Sequence, residues 1–452
     1  MRRLVLDHAL LHDGWARNVG LDIEGGVIAA VHRNAPPEDR ERIAGITLPG
    51  LPNLHSHTFQ RGMAGLAETR GPEGDSFWTW RQVMYRFLGL LTPDDVEAIA
   101  AFAMMEMLEG GFTALAEFHY LHHDQDGRPY ADIAELSWRI AAAAQDTGMG
   151  LTLLPVFYAQ GGFGGAAPAE GQRRFINDVE RYSRLLEGAR KAVAHLDDAV
   201  VGVAPHSLRA VTPESLNEVV ARAGEGPIHI HIAEQVKEVE DCLRWSGHRP
   251  VAWLFDHAPV DRRWCLIHAT HLDPQEIKGI AMSGAVAGLC PITEANLGDG
   301  IFEGIEYLAV EGRFGVGSDS NIEISAPAEL KQFEYSQRLK NRARNVLAQR
   351  EGQSTGRHLY EKALAGGAQA LGRRIGAIAA GCRADFVVLD AEHPDLAAVS
   401  GDRWIDSYIF VSGKAAVDMV FVAGQAVVRE GRHVKRDAIR TRYARALSRV
   451  LA

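Results

Sequence analysis

Leu51-Pro52-Asn53-Leu54-His55-Ser56-His57 ends a short apolar run that starts at Ile46, and its two histidines are spaced two apart. Residues two apart on a strand point to the same side, so a strand ending here turns both imidazoles towards one point. By itself an HxH is a weak signal, since ordinary polar strand ends also carry it. Its weight depends on what other strand ends supply.

Further β-branched runs follow at intervals that suit helical spacers. The candidate strands are Ile46–Leu54, Thr113–Phe118, Leu151–Val156, Val200–Ala204, Ile228–His231, Cys265–His268, Ala285–Leu289 and Phe314–Ser318. Asp94–Leu108, Phe175–Ala194 and Glu234–Trp245 carry helical periodicity between them. This alternation predicts an α/β fold, with eight βα units pointing to a closed TIM barrel rather than an open sheet. The two ends differ. Leu21–Ile23 and Val27–Val31 flank Glu24-Gly25-Gly26, and the tail offers Ala384–Leu389, Val417–Val422 and Ala426–Val428. They read as small β-elements with tight turns, either one composite domain or two separate caps.

The 452 residues exceed the roughly 250 of a barrel alone. A net charge of −10 argues against a nucleic-acid partner, and no apolar stretch predicts a membrane span. Four cysteines without a CxxC pair predict no disulfide framework, and Cys265 and Cys290 read as small buried hydrophobes. With no apolar signal region in residues 1–20, a cytoplasmic location is expected. Gly161–Gly171 is a Gly/Ala-rich loop, either plain surface or a mobile lid.

Barrel enzymes gather their chemistry at the C-terminal strand ends. The fifth run ends in His229-Ile230-His231 with Glu234 three residues on, the sixth at His268, and the eighth in Gly317-Ser318-Asp319. His229 reads as a hydrogen-bonded interior residue one layer below His231. Nitrogen donors with one carboxylate and an open position suit catalytic zinc, or iron.

With these motifs the chain resembles the amidohydrolase superfamily, whose deaminase branch carries HxH, HxxE, His and Asp at successive strand ends. The resemblance implies a (β/α)8 barrel over residues 46–375, with residues 1–45 and 376–452 joined in a small β-sandwich. It also implies that His55, His57, His231 and Asp319 bind the metal while Glu234 and His268 assist catalysis. Binuclear relatives use a carboxylated Lys at the fourth strand end. Val203-Ala204-Pro205-His206 stands there instead, so one divalent metal per subunit is expected, Zn2+ or alternatively Fe2+. In such a site Asp319 accepts a proton from water, Glu234 protonates the departing nitrogen, and His268 hydrogen-bonds the tetrahedral centre.

Several polar groups are expected at the barrel mouth: Gln60 and Arg61, Tyr120, and His206 and Arg209. Arg81 joins them from a long loop, Thr58–Thr92, expected to fold over the mouth with Trp78 and Trp80 packing and Arg81 directed inwards. Paired Arg residues with Tyr, Gln and His donors suit a small dicarboxylate. The segments Leu51–His57, Asp75–Arg81 and Thr293–Gly300 are similar to the N-formimino-L-glutamate deiminase family of histidine degradation. That similarity implies Gln60, Arg81, Tyr120, His206 and Arg209 as substrate contacts, and a homodimer. Competing readings are a deaminase or chlorohydrolase for a purine, pterin or triazine, and a non-catalytic barrel assembly protein.

Overall fold

The computed structural model describes residues 1–71 and 74–452. Its barrel strands run in chain order: Leu51–Ser56, Phe112–His119, Gly150–Phe157, a broken fourth (Val200–Val201 and Ala204–Pro205), Ile228–Ile232, Trp264–His268, Val286–Leu289 and Arg313–Val316. All pair in parallel with their sequence neighbours. Bridges Val203–Ile228 and Ser207–His231 join the fourth strand to the fifth, and Ser56–Asp319 joins the eighth end to the first. The sheet therefore closes, and no open doubly wound edge remains.

Closure between first and eighth strands depends on close backbone approach. A Cβ on Gly317 would meet the His55 backbone N and O at 2.7 and 2.6 Å, so only glycine fits there. A buried polar network ties the same seam. Asn53 donates to Ser318 Oγ (2.7 Å), which donates to Asn321 Oδ1 (2.6 Å), while Asn321 Nδ2 reaches Ser56 Oγ and the carbonyls of His57 and Asp319.

The expected strand Ile46–Leu54 is in fact two. Glu41–Pro49 belongs to the terminal sheet, pairing with Arg2–Leu11 and Phe386–Leu389, and the barrel begins only after Gly50. An uninterrupted apolar run hid the break, because both halves are buried. The terminal strands form one eight-stranded sheet in which the N-terminal hairpin and the C-terminal strands flank Glu41–Pro49. The sheet folds over its own apolar core of Leu4, Leu6, Leu21, Ile43, Phe386 and Phe421, among others. The two ends are thus a composite domain, not separate caps. The tail contributes more than strands: helix Arg436–Val450 lies on barrel helix Pro93–Glu109, with Tyr443 stacked on Phe102 at 3.9 Å.

Helix starts follow their caps. Thr92 and Asp95 form a capping box ahead of Pro93–Glu109, and Asp178 caps Val179–Val193, which is why the latter begins after the expected Phe175. All four cysteines are free, with Cys265 and Cys290 buried. Gly161–Gly171 carries a Gly162–Ala166 bridge, and its Phe163 stacks on Trp245 at 5.4 Å.

Candidate active site

The strand ends place His55, His57 and His231 with their ring nitrogens within 4.8 Å of one another. Nε2 of His55 and His231 are 3.1 Å apart, and Asp319 Oδ1 lies 3.5 and 3.4 Å from Nε2 of His55 and His57. Neighbouring ligands of a tetrahedral ion with bonds of about 2.0–2.1 Å are separated by about 3.3–3.4 Å, a spacing that the His55–His231, His55–Asp319 and His57–Asp319 pairs approach. His57 and His231 each give their Nδ1–H to a backbone carbonyl, of Phe118 and His206 respectively, both at 3.0 Å. That contact fixes the tautomer and leaves each Nε2 lone pair facing inwards. Burial reinforces the choice by holding His55 down to about 3 and lowering His57 and His231 as well, so all three imidazoles are neutral, the form a metal ligand needs.

Asp319 is buried too, which would raise its carboxyl. The hydrogen bond from His55 and the charged His268 beside it outweigh burial and hold it well below the usual range. Both Asp319 (φ +44°) and His268 (φ +67°) occupy the left-handed region, an uncommon conformation for such residues that the closed barrel maintains at the chemical centre. His268 Nε2 stands 3.8 Å from Glu234 Oε1 and 3.8 Å from Asp319 Oδ2. Burial disfavours its charged form, but Glu234, Glu294 and Asp319 surround it and raise it to about 10. Glu234 is pushed by burial up to about 7, against the pull of His268 and Arg209.

A cavity of about 570 Å3, open to solvent, lies over this cluster. Gln60, Arg81, Tyr120, His206 and Arg209 all line it. Gln60 donates to the Tyr120 hydroxyl at 2.9 Å, and its Oε1 is buried without a hydrogen-bond partner. The structure turns Arg61 away: it pairs with Glu106 at 2.5 Å, over the Phe102 ring. His229 donates its Nε2–H to the Ala370 carbonyl (2.8 Å) below the cluster and takes no part.

The expected loop Thr58–Thr92 holds helix Phe77–Leu88, begun by a Ser76/Thr79 capping box. Residues 72 and 73 of that loop lie outside the described residues. Phe77, Trp80, Arg81, Met84 and Tyr85 recur at helical spacing and face the cavity together. Trp78, one turn from Arg81, is approached by three cations: Arg81 at 4.6 Å, Arg209 at 5.8 Å and Lys237 at 5.9 Å. Arg209 Nε is buried without a hydrogen-bond partner. Among the described residues no carboxylate pairs with Arg81 or Arg209, so the mouth of an acidic protein carries two free guanidiniums.

Sequence reasoning passed over several members of the site. Tyr85, Tyr158 and Phe175 line the cavity, and nothing in their local pattern distinguishes them from core aromatics. Glu117, raised to about 8 by burial, accepts from Thr58 N (2.9 Å) and Oγ1 (2.7 Å) and so pins the turn after His57. Glu294 and Asp299 belong to the Thr293–Gly300 segment, which carried a resemblance but no assigned role.

Comparison with known proteins follows the same lines. Residues 46–427 match the Amidohydrolase family, and residues 6–43 match the N-terminal domain of formimidoylglutamate deiminase HutF. The chain is 52% identical to formimidoylglutamate deiminase of Pseudomonas aeruginosa, with 100% of this chain and 99% of that protein covered. The crystal structure of an amidohydrolase from Brucella melitensis is 54% identical with a TM-score of 0.96, over 100% of both chains. An adenosine deaminase from Xanthomonas campestris, solved with bound zinc, shares the fold at TM-score 0.82 and 20% identity, over 99% and 98% of the chains. Members of the matched family are metal-dependent, in keeping with the His55, His57, His231 cluster. The chain belongs to the amidohydrolase family, among its formimidoylglutamate deiminases.

Proposed function

We propose that the protein hydrolyses N-formimino-L-glutamate to N-formyl-L-glutamate and ammonia, a step of histidine degradation. The observation that carries this reading is the pair of free guanidiniums, Arg81 and Arg209, facing the same cavity as the His/Asp cluster. A substrate with two carboxylates and a hydrolysable C=N carbon matches both halves of the site.

His55, His57, His231 and Asp319 would hold the metal. A divalent cation there supplies Lewis acidity and lowers the pKa of water towards neutrality, about 7 in favourable zinc sites. Asp319, kept ionised, takes a proton from the attacking water. Glu234, poised near neutrality, delivers a proton to the nitrogen that leaves as ammonia. His268 offers Nε2 to the oxygen on which negative charge develops. Gln60, Tyr120 and His206 orient the substrate between these groups and the two guanidiniums.

We extend the proposal to one zinc ion per chain, a cytoplasmic location and a homodimer. The donor set of three imidazoles and a carboxylate supports zinc, and metal analysis of purified protein separates it from iron. The decisive experiment measures ammonia release from N-formimino-L-glutamate beside guanine, cytosine and adenosine. Turnover of the first alone supports the proposal, while turnover of a nucleobase or nucleoside without the first overturns it.

A further inference from the structure

We infer that Glu294 is a positioning residue for this reaction: its carboxylate takes the Nδ1–H of His268 and so holds the Nε2 edge of that imidazole towards the cavity. This inference rests on the proposed deamination.

His268 needs such a partner because its own strand does not orient it. The sixth barrel strand stops at His268, and both His268 and Ala269 (φ +67° and +47°) turn the chain away at that point. Glu294 Oε1 lies 3.3 Å from His268 Nδ1, on the side of the ring opposite the one that meets Glu234 and Asp319. It does not line the cavity, so it acts on the reaction only through the imidazole.

The carboxylate is itself held in place. Its Oε1 also accepts the Cys290 backbone N–H at 2.8 Å, at the start of helix Pro291–Leu297. Thr293 on that helix exchanges a hydrogen bond with Ser320 at 2.9 Å, next to Asp319. One short helix thus reaches from the seventh strand end to both neighbouring strand ends. Without Glu294, a buried Nδ1–H would lose its acceptor at a cost of ~1–3 kcal/mol, and nothing on that side would fix the plane of the ring. A ring free to rotate withdraws Nε2 from the reacting atoms.

The test combines kinetics with histidine NMR on metal-loaded full-length protein. E294A should lower kcat by ~10- to 100-fold with KM and metal content little changed, by analogy with the partners that orient metal-ligating imidazoles. E294Q should restore most of the activity, because its amide oxygen accepts the same Nδ1–H. In an H268A background, E294A should add no further loss. Additive losses, a wild-type kcat in E294A, or a rise confined to KM would each overturn the inference. Should E294A fail to fold, 15N-histidine spectra of the unaltered protein, assigned with H268N, still decide. A proton on Nδ1 of His268 is expected, and its absence refutes the role. Ammonia release by the unaltered protein tests the deaminase reading alone, whereas the NMR readout involves no turnover.

Discussion

Replacing Arg209 by Met removes the guanidinium while keeping an unbranched apolar stem of similar reach, and it isolates the claim that this cation binds a substrate carboxylate. Arg209 sits largely out of water, its Nε buried and unpartnered, with the Trp78 ring at 5.8 Å. Truncating one partner of a buried, hydrogen-bonded charge pair costs ~2–5 kcal/mol, equivalent to a ~30- to 5,000-fold loss in kcat/KM. Arg81 is more open, over Trp78 and Tyr85 at 4.6 and 5.6 Å, so its loss belongs at the lower end of that range. The carboxylate contact is made before and during the reaction alike, so the loss should fall on KM and spare kcat. A second readout comes from the free protein. Burial disfavours the Arg209 charge, but Glu238 and Glu234 more than offset it, so Arg209→Met should leave Tm unchanged or lower it slightly. Initial rates of ammonia release, metal content and a thermal melt complete the assay. A variant with wild-type kcat/KM, or one that loses activity by losing metal, refutes the reasoning.

Other expectations concern the chemical groups and the seam. Glu234→Gln should cut kcat by ~10²–10⁴-fold with metal content intact, and a loss confined to KM would contradict its role as the acid. Glu234 must be protonated to act, and burial raises it to about 7, so kcat/KM should fall as pH rises through that value; a profile flat from pH ~6 to ~9 argues against this assignment. Chelation should abolish turnover and lower Tm, with both restored by added Zn2+, whereas full activity of metal-free protein would exclude the proposed chemistry. Asn321→Ala should destabilise the fold by ~2–4 kcal/mol, because it orphans Ser56 and Ser318 and places alanine at φ +58°; a thermal melt unchanged from wild type would contradict the seam described above.

The candidate ligand set was legible in the chain because strand geometry is local. His55 and His57 share a face through a two-residue period, and strand order brings His231, His268 and Asp319 to the same rim once eight βα units close. Glu234 was legible for the same reason, three residues beyond a ligand. Local pattern also foresaw the N-terminal hairpin and the β-elements of the tail. It did not show that Glu41–Pro49 joins them into one sheet, since hydrogen bonding between residues 46 and 389 leaves no trace in either segment alone. The same limit applies around the cavity. Arg61 and Arg81 have identical chemistry, yet one is neutralised by Glu106 and the other faces the substrate space, because helix Phe77–Leu88 folds back over the mouth. Arg209, Glu294 and the tyrosines acquire their roles from neighbours tens or hundreds of residues away. Chain-local periodicity determined which elements form and which rim carries the chemistry. Long-range packing alone decided which charges are left unpaired, and on those the choice of substrate depends.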